Sequence, residues 1–392
     1  MDIQILDWLT FLLRWVHVIT AIAWIGASFY FIWLDLSLEQ PSEAKLKAGL
    51  SGELWAIHGG GIYEVGKYAS HPQAMPQTLH WFKWEAYSTW LTGSALLILI
   101  YYFKADAYLV GASLWFDTAP TAIAGSIGYL LGGVLGYELA MRYLVKSTLA
   151  RALLMFGLVV VLSYIAFQAF APRAAILHVG AVLATMMAGN VFLVIIPSQK
   201  AFVRAIEEGG TADINLSLNA KARSTHNNYL TLPVLFCMLS NHAAFIYGHA
   251  YAWIFVVAFS CVAAFARHYF NAKHAGNHQP WILVVAAALF VVLVVLTAVT
   301  QPKVQTEGMV SAADAQIIVS GHCAGCHTEQ PTMMGLTTPP GGMVFNTPEQ
   351  LFEFQQEVLN SLQTQFMPLG NLTGMTAEER ADLMAYMQQA EQ

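Results

Sequence analysis

Long apolar runs recur along the chain up to residue 300 and then stop. A helix that crosses a bilayer needs about 20 apolar residues, because the hydrocarbon core is roughly 30 Å thick and each residue rises about 1.5 Å. Eight stretches meet this condition: residues 8–34, 81–103, 121–145, 150–170, 173–197, 229–247, 251–269 and 281–300. Trp8, Trp33, Trp81, Trp115 and Trp281 stand at or near their ends, where an interfacial aromatic belt belongs. The pattern predicts an all-α, polytopic bundle of eight transmembrane helices over residues 1–300. The first helix reads as a retained span. Asp2 and Asp7 replace the basic start of a signal peptide, and the apolar run is too long for one.

After Thr300 the pattern turns polar. Residues 301–307, with Pro302, read as a linker, and residues 308–392 as a small second domain. Its helices are expected around residues 314–320 and 374–389, the latter packing through Leu383, Tyr386 and Met387.

Composition agrees with the spans. The chain is 57% hydrophobic and only 11% charged, against about 25% charged in soluble domains. That excludes an ordinary soluble enzyme. No basic run suits a nucleic-acid partner, and four cysteines are too few for a disulfide scaffold. Net charge is −6, and it is unevenly placed. The first 300 residues hold 16 basic and 14 acidic groups; the remainder holds 2 and 10. Thirteen of the 18 lysines and arginines, from Lys45 and Lys47 to Arg267 and Lys273, lie in or beside the loops after helices one, three, five and seven. Arg14, Lys104, Arg173, Lys303 and Arg380 fall on the other side. The positive-inside rule then makes the odd loops cytoplasmic and puts both termini and the acidic domain outside.

The acidic domain contains Cys323-Ala324-Gly325-Cys326-His327. Two cysteines three apart, followed at once by histidine, form the attachment pattern for c-type haem. Both thiols can add to the vinyl groups from one helical turn while His327 reaches the iron. A methionine thioether as the sixth ligand stabilises ferrous iron. Met333, Met334, Met343, Met367 and Met375 compete, and Met367, ahead of Pro368, is favoured. Residues 309–392 resemble the cytochrome c family. This resemblance implies periplasmic maturation, in agreement with the charge count.

A one-electron carrier needs a donor, so histidines inside spans become candidates. His17 lies in helix one, His178 in helix five and His242 near the outer end of helix six. Neutral imidazoles ligate iron, and two of these three are candidate ligands of a membrane haem b. His17 and His178 share a following valine and an alanine six residues on. That similarity suggests a 4+4 parallel repeat. At the other membrane face, His80-Trp81-Phe82-Lys83-Trp84-Glu85 and Ser224-Thr225-His226-Asn227-Asn228-Tyr229 are polar at predicted helix starts. The long loop between helices one and two carries His58-Gly59-Gly60-Gly61, which permits close approach to a ligand or forms a tight turn. Cys237 and Cys261 read as small buried residues.

The blocks His58-Gly59-Gly60-Gly61-Ile62-Tyr63, His80-Trp81-Phe82-Lys83-Trp84-Glu85-Ala86-Tyr87 and His226-Asn227-Asn228-Tyr229-Leu230-Thr231-Leu232-Pro233 resemble the bacterial membrane-integrated urate oxidases (urate hydroxylases). That family fuses an eight-span domain to a C-terminal cytochrome c, and the resemblance covers essentially the whole chain. The stretch around His17, Trp24 and Gly26 is also similar to haem-b-binding membrane proteins of the protoporphyrinogen oxidase type. The urate oxidase resemblance implies oxidation of urate to 5-hydroxyisourate in the bacterial inner membrane. Electrons pass to the cytochrome, then to a downstream cytochrome c or terminal oxidase, without hydrogen peroxide.

A planar urate anion needs an apolar slot, a few placed polar groups, a cation and a proton acceptor. Lys83, Glu85, His226 and Asn227, with Trp84, Thr225 and Asn228, offer that mixture. Glu85 is expected to be the proton acceptor or anchor and Lys83 to snorkel. Two other functions fit the residues alone: a quinol-to-cytochrome c electron-transfer module, and a transporter or sensor gated by its redox centre.

Overall fold

The computed structural model describes residues 3–110, 114–143, 147–210, 213–300, 309–333, 336–363 and 366–389. The expected linker at 301–307 lies outside them, as does Met334.

Among the described residues, the chain up to residue 300 forms eight long helical segments. These are α1 (Ile3–Leu36), α2 (Trp84–Leu96, continued by a π-helical stretch Leu97–Tyr102), α3 (Ala119–Tyr143) and α4 (Thr148–Ala169). They continue with α5 (Pro172–Gly189, a π-helical stretch Asn190–Ile195, then Ile196–Glu207), α6 (Ile214–Ser240), α7 (Ala252–His274) and α8 (Pro280–Val299). Local signals set several ends. Ser147 and Asp213 cap α4 and α6 by accepting from the amides of Ala150 and Asn215. Pro172 and Pro280 open α5 and α8, where their missing N–H costs nothing.

Six of the segments are long and apolar enough to cross a membrane: Ile5–Leu36, Ala119–Tyr143, Thr148–Ala169, Pro172–Glu207, Ala252–His274 and Pro280–Val299. The sequence expectation was eight. The regular part of α2 is only 13 residues long before its π stretch, and the first half of α6 is polar. Two further boundaries move. Helix six was expected from residue 229; α6 instead begins at Ile214 and ends at Ser240. His242 therefore lies in the turn beyond it, its amide donating to the Leu239 carbonyl.

The fold is also not purely helical. β1 (Leu50–His58) and β2 (Gly61–Tyr68) form an antiparallel hairpin in the first long loop. Gly59 and Gly60 occupy the turn with φ of 57° and 81°, so this glycine cluster forms the tight turn of the hairpin. Asp35 at the end of α1 pairs with Lys67 of the hairpin and with Lys221 of α6.

α5 is the central helix. Ala174, Ala175, Ile176, Val179, Val182 and Leu183 are all fully enclosed. Small residues let its neighbours come close, as between helices in a membrane. A side chain at Gly180 would stand 2.7 Å from Cys237 Cβ on α6, and one at Gly133 on α3 would stand 2.4 Å from Val182. Cys237 is buried, as expected, whereas Cys261, expected to be buried too, is only partly so.

The C-terminal part carries α9 (Ala312–His322), α10 (Gln355–Gln363) and α11 (Ala377–Gln389). The helices expected near 314–320 and 374–389 correspond to α9 and α11; α10 was not anticipated. Ala315, Val319, Leu351, Leu383 and Met387 form a separate core, with Tyr386 packed at its side. Phe366 meets Tyr247 of the bundle at a ring distance of 6.2 Å.

Candidate functional site

Two polar centres stand out: a cluster inside the bundle and a cavity at its border with the C-terminal part.

The cluster is built from α3, α5 and α6. Asn190 opens the π-helical stretch of α5, a local widening often found at functional positions. Its amide is saturated. Asn190 Nδ2 donates to Tyr137 Oη at 3.1 Å and to Asn227 Oδ1 at 2.8 Å, and Asn190 Oδ1 accepts from Arg223 Nη1 at 3.1 Å. Asn227 Nδ2 donates to the Met187 carbonyl at 3.0 Å. Tyr137 Oη lies 2.9 Å from His226 Nδ1. Since that hydroxyl accepts from Asn190, the hydrogen-bond count assigns its own hydrogen to His226 Nδ1, and the neutral ring then carries its proton on Nε2. Arg223, 3% exposed, pairs with Glu138 at 2.8 Å and lies over the Tyr137 ring at 5.1 Å.

Several polar atoms here are buried without a partner among the described residues. They are Arg223 Nε, Asn228 Nδ2 and Asn271 Oδ1. Asn228 turns toward α7, where its Oδ1 accepts from Arg267 Nε at 2.8 Å and Asn271 Nδ2 at 3.0 Å. Orphaned buried donors are expensive unless a ligand or water completes them. The free guanidinium N–H of Arg223 suits an anion with planar acceptor groups.

Of the expected substrate residues, His226 and Asn227 sit in this cluster. Glu85 and Lys83 do not touch it. Glu85 Oε1 lies 3.9 Å from His80 Nε2, and Oε2 is buried without a partner among the described residues. Ala86, next to Glu85, shares a small core cluster with Val191 and Ile196 of α5. Lys83 precedes α2 and leans over Trp84 at 5.9 Å. The two polar segments expected at helix starts also differ: His80 lies ahead of α2, while His226 is deep within α6. Tyr137, Glu138, Asn190 and Arg223 were not anticipated. Glu138 inside an apolar span was the available signal, since an ionisable group there is functional by default.

His17 and His178 have separate partners. His17 Nδ1 binds the Thr89 carbonyl at 3.1 Å and Thr92 Oγ1 at 3.0 Å. His178 is fully buried and uses both nitrogens, Nε2 with Ser126 Oγ at 2.7 Å and Nδ1 with the Ala174 carbonyl at 2.7 Å. Phe170 stacks on it at 4.3 Å and lines an apolar cavity of about 390 Å³ that receives none of His17, His178 and His242. This arrangement does not fit a haem b held by two of them.

The second centre is a cavity of about 470 Å³. Cys323, Cys326, His327 and Met367 all line it, with Phe345, Leu351, Leu362 and Leu383 as apolar walls. The cysteine–histidine turn is closed by the amides of Cys326 and His327 donating to the Cys323 carbonyl, at 3.1 and 2.9 Å. His327 Nδ1 lies 3.1 Å from the Met343 carbonyl, which fixes the tautomer and leaves Nε2 for a metal. Burial holds the His327 pKa below its usual value, against the pull of that carbonyl. It also pushes the Cys323 thiol up to about 11. Met333 and Met343 line the same cavity, whereas Met375 is buried in the domain core. Two thiols, an imidazole, a thioether and apolar walls are the donor set of a covalent haem, so these residues fit the group.

The chain matches a family model described as urate oxidase N-terminal over residues 3–298. No curated protein and no solved structure matches it.

Proposed function

The chain belongs to the urate oxidase N-terminal family, and from that membership we propose that it is a membrane-bound oxidoreductase converting urate to 5-hydroxyisourate. The balanced step is urate plus water giving 5-hydroxyisourate, two electrons and two protons. The family match over residues 3–298 carries this reading, and the Arg223 cluster supports it.

Arg223 faces the urate anion with its unpartnered Nε, while Glu138 keeps the guanidinium in place. His226 Nε2–H donates to a substrate carbonyl, held in that tautomer by Tyr137 and Asn190. Asn227 and Asn190 fix the cluster through their shared amide bond. Glu85 Oε2, the unpaired carboxylate oxygen on α2, takes a proton as water adds. The closed packing around α5 keeps bulk water from the site.

In this reading the electrons leave through the C-terminal domain. Cys323 and Cys326 attach haem c, and His327 and Met367 are its axial ligands. When bound, the haem accepts electrons one at a time and passes them to a downstream cytochrome c or terminal oxidase. All eight long helices span the bacterial inner membrane, α2 and α6 with polar residues turned inward, and the acidic domain lies on the periplasmic face.

The test is product analysis with purified protein in detergent and a downstream electron acceptor. Urate should be consumed with stoichiometric 5-hydroxyisourate and no hydrogen peroxide. Peroxide formed in proportion to urate, or no urate consumption, overturns the reading.

A further inference from the structure

The cavity that holds Cys323, Cys326, His327 and Met367 is not closed by the C-terminal domain alone. Lys104, Tyr108 and Arg173 of the helical bundle line it as well. Lys104 and Arg173 are its two lysine or arginine side chains. The domain's own described arginine, Arg380, is turned inward and donates to the carbonyls of Leu362 and Met367. After residue 300 the chain holds ten acidic and two basic residues, so the domain has little cationic surface to offer.

Arg173 is placed with care. It is the second residue of α5, and its Nε donates to Asn241 Oδ1 at 2.8 Å. Its guanidinium lies 5.6 Å from the Tyr108 ring and 5.7 Å from the Phe366 ring. It is thus held between one aromatic from the bundle and one from the C-terminal domain. Its Nη atoms make no hydrogen bond among the described residues, and neither does Lys104 Nζ. Glu357 also lines the cavity, which makes an uncompensated anion there still less favourable.

A haem brings two propionate carboxylates. In a largely apolar cavity each needs a charged hydrogen-bond partner. We propose that Arg173 and Lys104 of the helical bundle hold the haem c propionates, so that the cytochrome site is completed across the interface. This rests on the reading that the C-terminal domain carries haem c. The haem potential would then report docking of the domain on the bundle, since the two cations stabilise the ferrous, less positive state.

The experiment uses full-length protein with Lys104→Gln, Arg173→Gln, Arg173→Lys and the Lys104→Gln/Arg173→Gln double variant. Covalent haem is first measured by mass. A wild-type chain without it would refute the haem reading itself. With haem attached, redox titration of the haem band gives the ferrous-to-ferric ratio at a fixed potential. We expect the double variant to lower that ratio by about tenfold, which is 59 mV for a one-electron couple, and Arg173→Lys to stay near wild type. Lys104→Gln should lower it in part; Lys104 Nζ makes no hydrogen bond among the described residues, so this change reads the charge and not a lost contact among them. A double variant with attached haem and a ratio within twofold of wild type overturns the proposal.

Discussion

Arg223 Nη2 lies 2.8 Å from Glu138 Oε2, tying α6 to α3 at the heart of the bundle's polar cluster. The arginine is enclosed and the carboxylate about a quarter exposed. Removing one partner of a buried pair leaves an uncompensated charge, at a cost of about 3–5 kcal/mol. Replacing both removes that penalty.

Arg223→Gln alone should therefore destabilise the protein by about 3 kcal/mol, the low end because Glu138 reaches solvent. The Glu138→Gln/Arg223→Gln double variant should recover most of that loss yet bind urate at least tenfold more weakly. Thermal melts in detergent, with and without urate, separate the two effects. A double variant that urate still protects fully would remove Arg223 from the binding site.

Tyr137→Phe removes the hydroxyl shared by Asn190 and His226. Two buried polar atoms lose a partner, which costs about 1–3 kcal/mol. His226 is then free to place its proton on Nδ1. Urate-driven turnover should fall by about tenfold or more, while His226→Gln, keeping an N–H donor, should fall less than His226→Ala. Equal loss in the two His226 variants would argue against a donor role.

Glu85→Gln should keep the fold and the haem spectrum but slow urate-driven haem reduction by about 100-fold, the low end of a general-base contribution. Lys83→Met should change it little, because the Lys83 side chain lies over the exposed Trp84 ring, whereas Glu85 Oε2 is buried. Stopped-flow reduction of both variants decides. The reverse order would make Lys83 the anion-binding residue.

Met367→Ala should abolish the weak charge-transfer band of methionine–haem ligation and leave covalent haem intact. Met333 and Met343 line the same cavity, so an unchanged band would assign the sixth position to one of them.

Much of this arrangement was legible in the sequence because the strongest signals are long and one-dimensional. Apolar runs marked the helices of the bundle, and the cysteine–histidine spacing marked the second cavity. The errors have physical causes. The apolar pattern starts helix six only at residue 229 because Arg223, Asn227 and Asn228 are polar. In the folded chain they pair with Glu138, Asn190, Arg267 and Asn271, so the helix remains continuous. His178 looked like a ligand from its place in an apolar helix, yet Ser126 and Ala174 occupy its ring nitrogens. Partners on other helices cannot be seen in a local pattern. The same holds for Arg173 and Lys104, which count in the sequence only as charges on the outer side until the fold brings them to the cavity of another domain.

The most direct measurement is anaerobic addition of urate to the purified, oxidised protein while the haem c absorption band is followed. The account predicts that urate alone reduces the haem without oxygen, and that the Arg223 variants lose this response while dithionite still reduces them. A haem that dithionite or quinol reduces and urate does not would contradict it.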